Sequence, residues 1–364
     1  MATTTTNYGF DVPTSSDLVK NGATAISTLG QDLDTFLFRP FTRNLAINGG
    51  TDIWQRGTSF TPSAGAVTQL ADRWSGVRPT VTGWTVSRKT SATDSGFTGS
   101  TYFMRVQRDS GNTATQDLNI AYNNLEGESF IPLQGQSVTI SFYAKAGANY
   151  SSASSILNIA AVTGTTADTG TWSVSGTTNS TTRTLTTSWQ RFSYTFTFGA
   201  TDKAMRTQFY YTPVGTAGAN DFFDIWGLQI EVGTQATPFT RAGGTLQGEL
   251  AACQRYYWRQ SAETGNQYAT FGQGFMTGTT NFQSILQYPV TMRVTPTAID
   301  YSTIIAYNFG FTAYTISSVG FGGNRVNNTQ ALINFAVTGA TAGQAGLFSS
   351  NNSTTGYFGI SAEL

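Results

Sequence analysis

The chain has 364 residues, with 20 Lys and Arg against 20 Asp and Glu, no His and one Cys. Only 11% of residues are charged, where an ordinary soluble domain has roughly 25%. Without imidazole or a second thiol there is no Ser-His-Asp or Cys-His hydrolase, no His-bound zinc or facial-triad iron, and no internal disulfide.

Zero net charge with four lysines argues against a nucleic-acid binder, which needs a basic patch. No apolar run approaches the ~20 residues of a membrane span. The opening MATTTTNYGF lacks the basic and apolar regions of a secretory signal, so none is expected. At 13% aromatic residues the chain reads as folded, not disordered. With 61 threonines and 39 glycines, strands separated by Gly and Asn turns are the expectation. The predicted class is all-β: an N-terminal helical arm, a central jelly-roll sandwich and a small C-terminal β-sandwich.

Residues 1–43 form the predicted arm. The Ser15-Ser16-Asp17 cluster after Pro13 is a helix start. Leu18, Gly22, Ile26, Leu29, Leu33 and Phe36 follow in steps of 3 and 4, one narrow apolar stripe. One such helix does not fold alone. The stripe either lies on its own domain or forms a short parallel coiled coil between identical chains. In the second reading, Leu18, Ile26, Leu29, Leu33 and Phe36 are the interface.

Residues 44–242 read as one β domain. Period-two alternation marks strands at 82–88, 102–108, 137–145, 155–162, 189–198, 207–212 and 222–232. The Thr/Ser/Gly-rich stretch 163–187 reads as a surface loop or hairpin excursion. Residues 243–364 begin after Arg241-Ala242-Gly243-Gly244, a linker signal. A short helix at 245–258 is expected to run into a strand. Short strands are expected at 267–271, 284–288, 298–301, 312–318 and 331–337. Phe321-Gly322-Gly323-Asn324 and Asn327-Asn328 read as turns.

Among the tryptophans, Trp54, Trp74, Trp189 and Trp226 fit core positions. Trp172 has no apolar neighbours in sequence and is the candidate sugar-stacking residue of the 163–187 loop. At the tip, Tyr314, Phe321, Asn324, Arg325, Asn327 and Asn328 are ligand candidates from turn composition. The acids Glu126 and Glu128 sit close in sequence but in a turn-like stretch. They read as solvated loop acids and not as a glycan-cleaving pair. No phosphate loop or nucleophile elbow is present.

Three stretches carry a resemblance. Residues 8–26, from Tyr8-Gly9-Phe10-Asp11-Val12-Pro13 onward, resemble the N-terminal attachment segment of bacteriophage tail-fibre and virion appendage proteins. Asn48-Gly49-Gly50-Thr51-Asp52-Ile53-Trp54-Gln55-Arg56-Gly57, with Ala71-Asp72-Arg73-Trp74, is similar to the opening of a carbohydrate-binding-module-like jelly roll. Phe222–Gly233 and Ala236-Thr237-Pro238-Phe239 are similar to its close. Glu249–Tyr257 and Tyr288–Thr297 resemble the distal domain of phage fibres.

The resemblance implies a non-enzymatic homotrimer on the virion exterior, docked to other virion proteins through residues 1–43, with host-surface polysaccharide as a partner. It implies neither nucleic-acid binding nor membrane insertion. A structural calcium held by Asp52 and Asp224 is a feature of such jelly rolls, and no other cofactor is expected. A purely structural fibre or tail adaptor, and a polysaccharide depolymerase, are the alternatives.

Overall fold

Alternation of apolar and polar residues sets most of the strands. A computed structural model of the chain describes residues 3–4, 11–12, 14, 19–37, 44–76, 83–92, 96, 99–124, 126–168, 174 and 176–363. The chain divides into two compact units, Met1–Glu249 and Leu250–Leu364. Among the described residues no helix is long and apolar enough to cross a membrane.

The first unit opens with a two-residue ladder of β1 (Thr3–Thr4) and β2 (Asp11–Val12), followed by α1 (Val19–Leu37). On α1, Ile26 is 64% and Leu33 41% exposed, and Leu29 is half-buried. Leu18 and the side chain of Phe36 lie outside the described residues. The exposed Ile26 and Leu33 do not fit the reading in which the whole stripe lies on the helix's own domain.

Twelve strands build the sandwich: β3 (Ser59–Phe60), β4 (Thr68–Gln69), β5 (Trp74–Gly76), β6 (Trp84–Thr90), β7 (Tyr102–Arg108), β8 (Leu118–Asn124), β9 (Ser137–Ala146), β10 (Ile156–Gly164), β11 (Thr178–Thr184), β12 (Gln190–Thr197), β13 (Ala204–Tyr211) and β14 (Phe222–Val232). A four-residue helix, α2 (Gly127–Phe130), lies between β8 and β9. The strands form two six-stranded antiparallel sheets, ordered β11-β10-β13-β8-β5-β4 and β12-β9-β14-β7-β6-β3. Their inner faces share one core that includes Trp74, Trp84, Tyr122, Phe142, Phe209 and Ile225.

Of the two readings of the 163–187 stretch, the hairpin holds: β10 runs to Gly164 and its antiparallel neighbour β11 covers Thr178–Thr184. β11 pairs with β10 across seven positions and closes one sheet edge. Its Thr/Ser/Asn side chains suit an edge strand, where apolar residues would invite aggregation. Arg183 on β11 donates to the Ser193 carbonyl of β12, tying the edge of one sheet to that of the other.

The opening and closing motifs are buried clamps. Asn44 donates to the Leu228 and Thr240 carbonyls at 3.0 and 2.9 Å. Its Oδ1 accepts from the Ala46 and Ile230 amides. Every hydrogen-bonding position of that side chain is filled. Asn48, in the left-handed region at φ 57°, donates to the Ile53 and Asp72 carbonyls, both at 2.9 Å, and accepts from the Ile53 amide. Its carbonyl receives the Trp74 indole N–H at 3.1 Å. Gly49 has no alternative: a Cβ there would lie 2.0 Å from the Leu228 carbonyl oxygen.

The second unit continues from α3 (Leu246–Gln254), whose first residues belong to the first unit. Its strands are β15 (Tyr257–Ser261), β16 (Thr270–Met276), β17 (Asn281–Gln287), β18 (Ala298–Ser302), β19 (Ile304–Asn308), β20 (Ala313–Thr315), β21 (Ser318–Val326), β22 (Gln330–Ala336), β23 (Ala345–Ser350) and β24 (Tyr357–Ser361). A three-stranded sheet, β15-β24-β18, and a seven-stranded sheet, β20-β19-β23-β16-β17-β22-β21, enclose a second core. Phe348 and Phe335 of the larger sheet meet Phe358 of the smaller at 5.1 and 6.0 Å between ring centroids. β21 and β23 carry too many Gly, Ser and Asn residues to stand out from their turns.

Two predictions test the clamps. Asn48→Ala should cost about 3 kcal/mol in denaturant unfolding, because it strands three buried backbone groups. The second concerns Glu249 of α3, which accepts from the Asn48 and Gly243 amides. Burial pushes its carboxyl above the usual range, and the two amides and Arg241 pull partly back. A folded value above the unfolded one means stability is greatest with the group protonated and is lost as pH rises through the folded value. The unfolding free energy of the native chain should therefore fall relative to Glu249→Gln on going from acid to neutral pH. A native chain that instead gains stability relative to Glu249→Gln as pH rises would show that the ionised form is the one held.

Candidate saccharide-binding surfaces

In the second unit, β17 alternates Phe282, Ser284 and Leu286 inward with Asn281, Gln283, Ile285 and Gln287 outward. Register places Phe275 of β16 beside Gln283, and Leu332 of β22 beside Ile285. Phe275 is 46% and Ile285 62% exposed. Beyond them β21 carries an irregularity between Phe321 and Val326.

An open cleft of about 600 Å³ lies here, lined by Phe275, Gln283, Ile285, Asn324, Arg325, Val326, Asn327, Gln330, Ala331 and Leu332. It offers an apolar floor and a rim of amides. Asn327 Oδ1 is engaged by the Thr329 amide and hydroxyl and the Gln330 amide. The NH₂ of Asn327 is therefore the group left for a ligand. Next to Gln283, the buried Oδ1 of Asn334 has no hydrogen-bond partner among the described residues.

Of the tip residues proposed from sequence, Asn324, Arg325 and Asn327 are brought together in this cleft. The others are not. Tyr314 is buried in the core, its hydroxyl receiving Asn308 Nδ2 at 3.3 Å. Phe321 packs against the same core. The Asn328 carbonyl accepts from the Met292 amide, and the residue does not line the cleft. The turn reading missed Phe275, Gln283, Ile285 and Gln330, which stand on strands. For Gln283 and Ile285, the alternation of β17 carried the signal.

The first unit presents a second polar face, the outer side of the sheet containing β8, β10 and β13. Met205, Phe209 and Tyr211 point into the core, so Arg206, Gln208 and Tyr210 point outward. Asn158 and Asn119 flank Tyr210, and Val162 and Asn123 flank Arg206. Burial pulls the Arg206 guanidinium down to about 10. Burial, and then the charge of Asp117, pushes the Tyr210 phenol up. The Oδ1 atoms of Asn119 and Asn123 are buried without a partner among the described residues.

Val162 and Ala204 of this face form a small cluster with Val174. The described end of the stretch carrying Trp172 therefore rests on this side. Trp172 itself lies outside the described residues. This face is not legible in sequence: the asparagines of β8 resemble turn residues, and alternation marks β13 only from 207.

The opposite sheet is covered around its central strands, while Arg191, Ser193, Thr195 and Thr197 of β12 are exposed. Trp189 and Trp226, expected in the sandwich core, lie on its outer side. Trp226 sits 5.5 Å from Tyr143 and 4.6 Å from Phe239 between centroids, and Trp189 sits 5.3 Å from Phe103. Trp54 and Trp74 are in the core as expected.

Asp224, fully buried beneath this layer, is bonded by Arg105 at 2.7 Å and lies 3.5 Å from Lys145 Nζ. Asp52 is paired with Arg241 at 2.9 Å and accepts from Ser100. The two carboxylates proposed for calcium are thus already neutralised by cations. A dication beside Arg105 and Lys145 would be repelled, and calcium needs six to eight oxygens. Among the described residues there is no group of three or more His, Cys, Asp or Glu that could hold a metal.

No protein-family model matches the sequence, and no curated protein sequence matches it. Solved structures are similar over about half the chain. One is the enzymatically active domain of tailspike protein 4 of bacteriophage CBA120, at 9% identity and TM-score 0.32, covering 52% of this chain and 21% of that one. This chain thus matches only about a fifth of the tailspike domain's length. A CBM61 domain in complex with β-1,4-galactotriose matches at 13% identity and TM-score 0.31, covering 52% of this chain and 99% of that one. A CBM4 domain matches at 18% identity and TM-score 0.29, with 52% and 99% covered.

The buried charge layer gives a direct test. Asp224→Asn should destabilise the chain by about 3–5 kcal/mol, because it leaves two buried cations without a counter-charge. Added calcium or a chelator should leave the melting temperature of the native chain unchanged. A rise with calcium would restore a metal site.

Proposed function

We propose that the chain is a non-enzymatic subunit of a bacteriophage fibre or spike, trimeric through α1, which attaches the particle to saccharides on the host surface. The cleft of the second unit carries this reading. Sugar rings present an apolar C–H face and a hydroxyl rim. The cleft pairs exposed Phe275 and Ile285 with Gln283, Gln330, Asn324 and Asn327. No carboxylate is among its lining residues, and glycoside cleavage by the common routes needs a pair of them. Binding is therefore favoured over a depolymerase.

Trimer formation is supported by the helix. Ile26, Leu29 and Leu33 repeat at 3 and 4, and Ile26 and Leu33 face solvent in the single chain. A helix of 19 residues with such a stripe gains its stability by packing on a partner. Three clefts per trimer, multiplied over several fibres, would raise weak individual binding through effective concentration.

Two measurements test the reading. Phe275→Ala with Ile285→Ala should lower adsorption of the purified protein to host cells about tenfold or more. The melting temperature should move little, because exposed positions contribute within about 0.5 kcal/mol. Unchanged adsorption would favour a structural fibre without receptor contact. Ile26→Asp with Leu33→Asp should convert the trimer to monomer by light scattering. A native chain that is already monomeric would overturn the trimer.

A further inference from the structure

We propose that the cleft of the second unit selects saccharides that carry a carboxylate, with Arg325 as the group that binds it. The inference rests on the saccharide-binding reading and adds the ligand class. Residues 250–364 contain four arginines, three acids and no lysine. Several of these charges are engaged elsewhere. Arg259 lies 3.3 Å over the Tyr357 ring, and Asp300 accepts the Tyr257 hydroxyl at 2.7 Å. Arg255 lies 5.9 Å from the Tyr256 ring. Arg325 is the one charged residue that lines the cleft. It is exposed, and no ion pair or hydrogen bond to its side chain is present among the described residues.

Its placement is built into the strand. Between Phe321 and Val326 the pairing of β21 with β22 slips. Gly323 is left-handed at φ 64°, and a Cβ on Gly322 would lie 2.7 Å from the Leu332 side chain. Bulges of this kind re-aim a side chain, and they recur beside functional sites. Here the irregular stretch brings Asn324 and Arg325 to the edge of an apolar floor made by Ile285, Leu332 and Val326.

The ligand chemistry follows from what surrounds the cation. A guanidinium presents a planar fork that matches a carboxylate in two parallel hydrogen bonds. Nucleic acid or polyphosphate would need several cations, and the lining supplies one. Amides on the rim and apolar carbon on the floor call for hydroxyls and a C–H face in the same molecule. A uronic- or sialic-type sugar has all three parts.

The test uses the full chain and calorimetric titration. The panel is oligogalacturonate, a hyaluronan oligosaccharide and sialyllactose, each paired with its carboxyl methyl ester. At least one acid should bind about tenfold tighter than its ester. Arg325→Gln should abolish that ratio while leaving the affinity for the ester unchanged, and Arg325→Lys should recover part of it. Acid and ester binding alike, or a ratio that survives Arg325→Gln, would overturn the carboxylate assignment and leave the saccharide reading standing. Failure of every acid and ester to bind, with adsorption of the Phe275/Ile285 variant unchanged, would overturn both.

Discussion

Two buried asparagines hold the first unit together. Asn44 and Asn48 come from the start of the sandwich, yet their partners lie in the last strand, in the segment after it, and around Asp72. A chain whose first and last parts are adjacent in the fold closes a very long loop, and the entropy of that closure must be met by contacts of matching specificity. Apolar packing is not directional enough to fix the register. Asn44 fills all four of its hydrogen-bonding positions on backbone groups, so a slip of one residue in β14 would strand several of them. β14 continues the same work on its outer face. Gln229 and Glu231 bind Thr237 and, through Gln229 Oε1, the Thr240 amide. The final segment is thereby laid across the sheet and covers Trp226.

Charge follows the same economy. With few charged residues available, the first unit uses several of them internally. Asp221 is buried with Arg108 at 3.3 Å and also accepts from Ser151 and the Tyr211 hydroxyl. Asp224 is buried with Arg105 and Lys145. Such pairs contribute little net stability against desolvation, but breaking one leaves a buried charge exposed to nothing. They fix which way the strands sit. The surface that remains is made of hydroxyls, amides and scattered aromatic rings. In the second unit, Arg325 is the one charged residue that lines the cleft.

The sandwich was legible because its strands alternate. Tyr102–Arg108 and Phe222–Val232 are read from sequence with their observed ends. β11 was hidden by composition: Thr-Asn-Ser-Thr-Thr-Arg-Thr has no apolar face, because an edge strand outside the core needs none. β8, Leu-Asn-Ile-Ala-Tyr-Asn-Asn, does alternate, yet its inward Leu118, Ile120 and Tyr122 are set among asparagines that resemble turn residues. The outer face carrying Arg206 went unseen for the same reason. The calcium pair failed on partners that sequence spacing cannot show: Arg105 and Lys145 are 119 and 79 positions from Asp224.

One stretch of the second unit reads as a turn in sequence and is a strand in the structure. Phe321-Gly322-Gly323-Asn324 reads as a turn from its composition, and Arg325 follows it. The stretch is instead part of β21, in a sheet whose ladder continues on both sides of the slip. The glycines have the physical role that turn glycines have, allowing a left-handed residue and a close approach, but they exercise it inside a strand. That difference matters for recognition. A cation on a free loop has no fixed origin, whereas the backbone of Arg325 is held between the paired positions Phe321 and Val326. The sheet register thus sets both the floor of the cleft and the position of its one charge.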